Sequence, residues 1–302
     1  MLTYQHYVTP SSLPEVFSAL LAHPGDSCKL IAGGTDILPW ARQGRAGDVS
    51  LNALIDVSQV RELRGIEVVD GVLRVGASTP IADFIRSEEL RTFASVLSRC
   101  AVWFADDQIR AQATVGGNII NASPAGDSQP ALLVHNCKVV LAKQDAQGIS
   151  YRTLLLADFI HGPGRTDLRP GEVLAHLELD TLKGYGVAFE KVGHRRSLVI
   201  STVCLAAAAR RNPMTDKLDD FRIAIAAVGP VPVRLEAVEK ALIGKSPTGK
   251  LLRDVSSQVA DYVRSRSRQD YRKEVLENFV ERGALRALQD AGFDVERISK
   301  ES

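Results

Sequence analysis

An Asp-Gly pair between two β-rich runs constrains the fold of this chain more than any other local feature. The runs are residues 66–69 and 72–75, and Asp70-Gly71 lies directly between them. A two-residue Asp-Gly connection is typical of a tight β-hairpin, because the turn needs residues that tolerate positive φ. We therefore expect antiparallel strand pairing in the first half of the chain.

Helical and strand-like patterns occur in both halves of the sequence. Ser12-Leu-Pro-Glu15 resembles a capping box and predicts a helix that ends near Pro24. Further helices are predicted at 80–104, 128–135, 232–243, 251–264 and 270–291. Strands are predicted at 28–32, 51–57, 138–142, 150–156, 173–179, 187–192, 199–209 and 222–228. This mixture predicts an α+β protein with a domain boundary near residue 180.

Charge and hydropathy exclude several classes of protein. Across 302 residues, Lys and Arg number 37 and Asp and Glu number 36, so no net field attracts nucleic acid or anionic lipid. No apolar run approaches the roughly 20 residues that a membrane span needs, and the first residues do not resemble an export signal. The four cysteines are far apart in sequence, which argues against a metal site. We expect a cytoplasmic protein with reduced thiols and no membrane span.

Two Gly-Gly pairs are the candidates for a nucleotide site. Ala32-Gly-Gly-Thr-Asp36 follows a predicted strand, and Val115-Gly-Gly-Asn118 follows the predicted helices. No G-x-G-x-x-G or complete P-loop occurs in the sequence. Glycine pairs let successive backbone N–H groups converge on an anion, so the two loops could hold a diphosphate from both sides. The residues alone leave open the alternative of two tight structural turns.

Five longer motifs resemble one known family. They are residues 30–37, Gln108-Ile-Arg110, residues 113–127, residues 189–196 and Asp270-Tyr-Arg272. In this order they are similar to the FAD-binding medium subunit of the molybdenum hydroxylases, the xanthine dehydrogenase and carbon monoxide dehydrogenase family. The resemblance covers nearly the whole chain.

The resemblance implies both the architecture and the domain limits. Residues 1–180 would form an FAD-binding domain of two α/β subdomains, of the PCMH/VAO-like type. Residues 181–302 would form a smaller α+β domain of the CO dehydrogenase flavoprotein C-terminal type, with a three-stranded sheet and helices. FAD would lie between the two subdomains and against the C-terminal domain.

The resemblance also implies a set of cofactor-binding residues. The first diphosphate loop would comprise Leu30, Ile31, Ala32, Gly33, Gly34, Thr35, Asp36 and Ile37, and the second Thr114, Val115, Gly116, Gly117 and Asn118. Asp127 would bind polar groups of the flavin, and Phe104, Leu174 and Lys191 would lie beside it. Alternatives remain: Asp127 as a helix cap, Phe104 and Leu174 as core residues, and Lys191 at a solvated strand edge or a subunit contact.

The function implied by the resemblance is electron transfer within an oxidoreductase. This flavoprotein subunit would pass electrons from the [2Fe-2S] clusters of a small partner subunit through FAD to a terminal acceptor. The substrate would be oxidised in a large subunit that holds molybdopterin or molybdopterin cytosine dinucleotide. The acceptor could be NAD, a quinone or oxygen, and no catalytic or metal-binding residue is expected in this chain. The alternative is a self-sufficient FAD-dependent oxidoreductase.

Overall fold

A parallel three-stranded sheet forms the first subdomain. The computed structural model describes residues 1–25, 27–43, 49–195, 198–265 and 267–300; Arg196, the end of one motif, lies outside this part. Strands β1 (Leu2–Val8), β2 (Cys28–Ile31) and β3 (Val49–Asp56) pair in the order β1-β3-β2. Helices α1 (Leu13–Ala22) and α2 (Ile37–Arg42) follow β1 and β2. Helical connections of this kind allow neighbouring strands to run parallel.

The predicted start of α1 is confirmed, although its cap differs from the expected one. Ser12 occupies the N-cap position, but its side chain makes no cap hydrogen bond. The Glu15 carboxylate instead accepts from the backbone N–H of Ser11 at 2.7 Å. Buried side chains of α1, including Val16 and Phe17, pack in one cluster with Ile55 of β3. Burial of this face, together with the proline in the first turn, accounts for the helix.

An antiparallel five-stranded sheet forms the second subdomain. It contains β4 (Ile66–Val69), β5 (Val72–Gly76), β6 (Lys138–Asp145), β7 (Gly148–Leu155) and β10 (Glu172–Leu179), in the order β4-β5-β10-β6-β7. The predicted hairpin is confirmed: Val69 pairs with Val72, and Asp70 and Gly71 both have positive φ, 51° and 79°. A short separate pair comprises β8 (Ile160–Gly162) and β9 (Arg165–Thr166).

Short helices cover this second sheet. They are α3 (Ile81–Arg86), α4 (Glu88–Phe93), α5 (Ser95–Trp103), α6 (Asp107–Gln112), α7 (Val115–Asn121), α8 (Ser128–Leu133) and α9 (Leu156–Phe159). One or two helices were expected over 80–104, but three occur. The Ser87 hydroxyl accepts from the N–H of Leu90 at 3.1 Å, which caps a separate helix at that point.

The C-terminal domain has one more strand than expected. Strands β11 (Gly186–Val192), β12 (Val203–Asn212), β13 (Lys217–Ala226) and β14 (Val233–Arg234) form one antiparallel sheet in chain order. Helices α10 (Glu236–Leu242), α11 (Gly249–Ser256), α12 (Gln269–Asp290) and α13 (Val295–Lys300) complete it. The expected strand start at Val199 is wrong, because residues 198 and 200 are exposed and pairing with β11 begins at Val203.

The C-terminal sheet is covered on both faces. Cys204 and Ala206 of β12 join the core of the FAD-binding half, whereas Val203 and Leu205 pack with residues of α12. Small residues permit this close layering: a Cβ on Gly186 would lie 2.0 Å from the backbone nitrogen of Ala291. The described residues contain no helix that is long and apolar enough to cross a membrane. One apolar cluster thus contains residues of both halves, because β12 contributes side chains to the core of the FAD-binding half.

Candidate flavin site

The first glycine loop connects β2 to α2 and presents unused backbone donors. The N–H groups of residues 33–36 have no acceptor within the described part of the chain. Gly34 has a positive φ of 68°, which glycine adopts at little cost. Successive free amides in a tight loop form a partially positive concavity that can accept an anion. This loop therefore has the donors that a diphosphate requires.

The structure places the two predicted glycine loops side by side. A Cβ on Gly33 would lie 1.8 Å from the carbonyl oxygen of Gln112 and 3.1 Å from the nitrogen of Ala113. Gln112 ends α6, two residues before Thr114. Only glycine permits this approach, because any side chain would overlap with the neighbouring peptide. The glycine at position 33 thus has a packing role as well as a conformational one.

The second glycine pair is not the loop of free amides that we expected. Residues 115–121 form α7, and their first N–H groups are already bonded within the chain. The acceptors are Thr79 O for Val115, Ala77 O for Gly116, Thr114 Oγ1 for Gly117 and Thr114 O for Asn118. The expectation that these amides are free to bind phosphate is therefore wrong. The available donors at this position are side chains.

Asn118 and Thr114 retain such side-chain donors. The Asn118 Oδ1 atom accepts from the Ser128 hydroxyl at 2.7 Å, which leaves both Nδ2–H groups without an acceptor among the described residues. The Thr114 hydroxyl accepts from Gly117 and keeps its own proton for another partner. Both residues come from the same turn, which lies next to the Gly33 loop. This turn can therefore donate to an anion through its side chains.

Asp127 and Lys191 form a buried ion pair across the two domains. The Lys191 Nζ atom lies 2.5 Å from Asp127 Oδ2, and the two side chains are only 3% and 10% exposed. Ser201 donates to Asp127 Oδ1 at 2.5 Å, and Lys191 also donates to Trp103 O at 3.0 Å. The alternatives of a helix-capping Asp127 and a solvated Lys191 are wrong, because Asp127 makes no cap bond and Lys191 is buried.

Burial dominates the electrostatics around Asp127. It raises the pKa of this carboxyl, while Lys191 and the Ser201 hydroxyl act in the opposite direction. Burial also raises the pKa of the Cys100 and Cys204 thiols well above the usual range of a thiol, and the nearby Asp127 carboxylate raises both pKa values further. Cys100 donates its thiol proton to the Asp127 carbonyl at 3.2 Å. These thiols are therefore neutral, and their role is to pack and to orient the backbone.

Ser201 and Cys100 are site residues that the sequence did not reveal. They lie 74 and 27 positions from Asp127 and belong to no recognisable motif. The only available signal was the position of Ser201 just before an alanine-rich run, ten residues after Lys191. That signal is too weak to distinguish Ser201 from other serines.

Phe104 and Leu174 belong to the core of the FAD-binding half. Their side chains are 9% and 2% exposed, and both lie in its largest apolar cluster. The carbonyl of Phe104 accepts from the Arg110 guanidinium at 2.5 Å, which fixes the chain after α5. Leu174 precedes Ala175, whose carbonyl accepts a hydrogen bond from the Ala77 N–H at 3.0 Å. The Ala77 carbonyl in turn accepts from the Gly116 N–H. The core alternative therefore holds for both, and contact with a flavin stays a prediction.

The donor set fits a flavin dinucleotide. The free amides at 33–36 and the side chains of Thr114 and Asn118 suit a diphosphate, and they lie on two adjoining turns. Asp127 and Lys191 provide a polar pair with remaining lone pairs and protons for a heterocycle. Within the described residues, no group of three His, Cys, Asp or Glu side chains could hold a metal ion.

Two family models match the chain in sequence. Residues 2–179 match the FAD binding domain in molybdopterin dehydrogenase, and residues 188–287 match the CO dehydrogenase flavoprotein C-terminal domain. The first match alone spans more than half of the chain. This protein belongs to the family of FAD-binding subunits of molybdopterin dehydrogenases.

Individual relatives agree with this family. The carbon monoxide dehydrogenase medium chain of Hydrogenophaga pseudoflava is 32% identical over 244 residues, covering 80% of this chain and 81% of its own length. The putative xanthine dehydrogenase FAD-binding subunit of Escherichia coli is 27% identical, covering 97% and 99%. A solved structure of carbon monoxide dehydrogenase from H. pseudoflava has a TM-score of 0.85 at 27% identity, covering 94% and 97%. The chain is thus an FAD-binding oxidoreductase subunit with the expected two-domain fold.

Proposed function

We propose that this chain is the electron-transfer subunit of a molybdenum-containing hydroxylase. It would accept electrons from the [2Fe-2S] clusters of a small partner subunit and deliver them through FAD to a terminal acceptor. The observation that carries this proposal is the loop of residues 33–36, whose amides have no acceptor among the described residues and which Gly33 allows to pack against α6. A neutral protein needs donors of this kind to bind a diphosphate, because it has no excess of basic residues.

The proposed cofactor site combines residues of both domains. Leu30 to Ile37 would wrap the diphosphate, and Thr114 to Asn118 would complete the diphosphate site with side-chain donors. Phe104, Asp127, Leu174 and Lys191 would surround the flavin. FAD supplies an exchange between one-electron and two-electron transfer, while the protein holds the ring, excludes water and sets the nearby charges. Asp127 and Lys191 would set the charges near the ring, at the junction between the domains.

The partner assignments rest on what the relatives are. The H. pseudoflava carbon monoxide dehydrogenase structure has a molybdenum cofactor that lacks its Mo-pyranopterin moiety. By analogy, the large partner of this chain would hold molybdopterin or its cytosine dinucleotide, and the small partner the two [2Fe-2S] clusters. We place the boundary between the two domains near residue 180 and the protein in the cytoplasm. The three free buried thiols Cys100, Cys137 and Cys204 fit a reducing compartment.

Reconstitution with the partner subunits tests the proposal. We expect the isolated chain to bind FAD with a flavin absorption spectrum and to oxidise no substrate alone. In the reconstituted complex, substrate should reduce the iron–sulfur clusters and then the flavin. A complex carrying FAD-free chain should still reduce its clusters but not the terminal acceptor. Substrate turnover by the isolated flavoprotein would support a self-sufficient oxidoreductase and overturn the proposal.

A further inference from the structure

A cleft of about 480 Å³ lies at the junction of the two domains, away from the candidate flavin site. Its walls come from the hairpin turn and the β6 and β10 strands of the first domain, from the linker that ends at Tyr185 just before β11, and from β12 and β13 of the second domain. Tyr185 lines the cleft, whereas Lys191 lies at the other end of β11, about 20 Å away at 3.3 Å per residue. The cleft and the flavin site are therefore separate.

Four basic side chains line this cleft, and three of them have no ion-pair partner in the part of the chain that the structure describes. Arg222 is already engaged, because it pairs with both Asp180 at 3.0 Å and Asp220 at 2.9 Å. Lys138, Lys183 and Arg210 make no ion pair with any described residue. Among the described residues, these three positive charges therefore have no counterion at contact distance.

The acidic residues at the cleft are already committed elsewhere. Glu178 lies opposite Lys138 across β6 and β10, but its carboxylate pairs with Arg74 at 3.4 Å on the other side. Asp220 lies opposite Arg210 across β12 and β13, yet it is held by the Tyr185 hydroxyl at 2.7 Å and by Arg222. The arrangement leaves the basic side chains available and fixes the acidic ones.

Aromatic contacts hold two of the basic groups near the cleft without neutralising them. The Arg210 guanidinium lies 5.2 Å from the centre of the Tyr185 ring, and the Lys183 ammonium lies 5.7 Å from that of Phe93. Cation–π contacts of this kind orient a charge but do not cancel it. Arg210 is thereby preorganised at the wall of the second domain, and Lys183 in the linker between the domains.

We propose that this cleft binds a phosphate-bearing small molecule of nucleotide size, with Lys138, Lys183 and Arg210 as the phosphate ligands. The volume lies within the range of small-molecule sites, and lysine and arginine are the usual partners of phosphate oxygens. Lys138 belongs to the first domain and Arg210 to the second. A ligand held by both would tie the two domains together and stabilise their arrangement by mass action.

The test uses full-length protein in excess FAD, so that the flavin site is filled. ADP, pyrophosphate and adenosine are titrated by calorimetry at low and high salt, with flavin absorbance as a check that FAD is not displaced. We expect ADP to bind, to raise the midpoint of thermal unfolding and to weaken as salt rises, while adenosine does not bind. Equal affinity for pyrophosphate would identify the phosphate group itself as the ligand, which also supports the site.

Charge-removing variants make the test specific. Lys138→Gln combined with Arg210→Gln should weaken ADP at least tenfold, since each hydrogen bond to a charged group contributes about tenfold or more. The control Lys240→Gln removes an exposed lysine of α10 that pairs with Glu236, and it should leave ADP affinity unchanged. Absence of ADP binding at low salt would overturn the proposal, as would equal affinity in the double variant and the wild type.

Discussion

The carbonyl oxygen of Gln112 occupies the space that a Cβ on Gly33 would need, with only 1.8 Å between the two positions. The contact joins the loop after β2 to the end of α6 and so brings the two glycine motifs together. Both the packing of the subdomains and the proposed diphosphate site depend on it. The absence of a side chain at position 33 therefore matters before any ligand binds.

A methyl group at position 33 should destabilise the protein even without FAD. We expect Gly33→Ala to lower the free energy of unfolding by about 3 kcal/mol, the upper part of the usual range for overpacking, because backbone must move. Urea unfolding of the apoprotein measures this loss, and flavin absorbance measures the accompanying fall in FAD content. Gly162→Ala is the control, since a Cβ there meets nothing within 4 Å. Wild-type stability of Gly33→Ala would contradict the contact.

The side chain of Asn118, rather than its backbone amide, should bind the diphosphate. Asn118→Asp keeps the acceptor for Ser128 at 2.7 Å but replaces two N–H donors with a negative charge. We expect FAD to bind about ten to a hundred times more weakly, since a hydrogen bond to a charged group contributes roughly 1.5–3 kcal/mol. Titration of the apoprotein with FAD measures this loss of affinity. Urea unfolding of the apoprotein is measured as well, and its free energy should change little.

A second aspartate variant separates a local effect from one of overall charge. Asn278→Asp adds the same charge on α12, where the exposed asparagine side chain donates to the Glu274 carbonyl of its own helix. This control should bind FAD as the wild type does. Equal losses in the two variants would mean that Asn118 makes no direct contact with the cofactor.

Removal of Lys191 should be costly because its partner stays buried. Lys191→Met leaves the Asp127 carboxylate without its cation, and breaking a buried pair in this way costs about 3–5 kcal/mol. The double variant with Asp127→Asn should recover much of this loss in urea unfolding. Lys240→Met is the control, since the exposed pair with Glu236 contributes at most about 1 kcal/mol. Additive losses in the double variant would refute a coupled pair.

The defect of Lys191→Met should depend on pH in a defined direction. Burial raises the pKa of Asp127, and loss of the lysine raises this pKa further. A carboxyl with a raised pKa in the folded state binds more protons than in the unfolded state, so stability falls as pH rises through that interval. The variant should therefore lie closer to the wild type in acid than at neutral pH. A difference that is constant with pH would contradict this.

Local signals in the sequence predicted local structure well. Asp70-Gly71 specified its hairpin because a two-residue turn depends on the residues within it. The proline in the first turn of α1 acted in the same way. The order of the two domains was predicted from the family motifs, because local helix and strand propensities carry no information about it.

Contacts between distant segments could not be predicted. Thr114 to Asn118 was expected to form a second diphosphate loop with free backbone amides. The structure instead caps α7 with Thr114, and Ala77 and Thr79 accept its first amides. The same limit applies to Ser201, whose hydroxyl meets Asp127 only after β12 joins the FAD-binding half. Such partners depend on the tertiary fold rather than on spacing.

His135, two residues after the end of α8, should make the stability of the fold depend on pH below neutrality. Its Nδ1–H donates to Asp180 O at 2.7 Å, and burial lowers its pKa from 6.5 to about 4. The unfolded chain therefore binds a proton first, and stability should fall by about 3 kcal/mol as pH drops from 6.5 to 4, at about 1.36 kcal/mol per pH unit. His135→Asn keeps a donor and removes this titration, whereas the exposed His161→Gln is the control. Urea unfolding from pH 7 to 4 gives the free energy of unfolding as a function of pH. The curves of the wild type and His135→Asn should converge as pH falls. Parallel curves would refute a neutral buried imidazole.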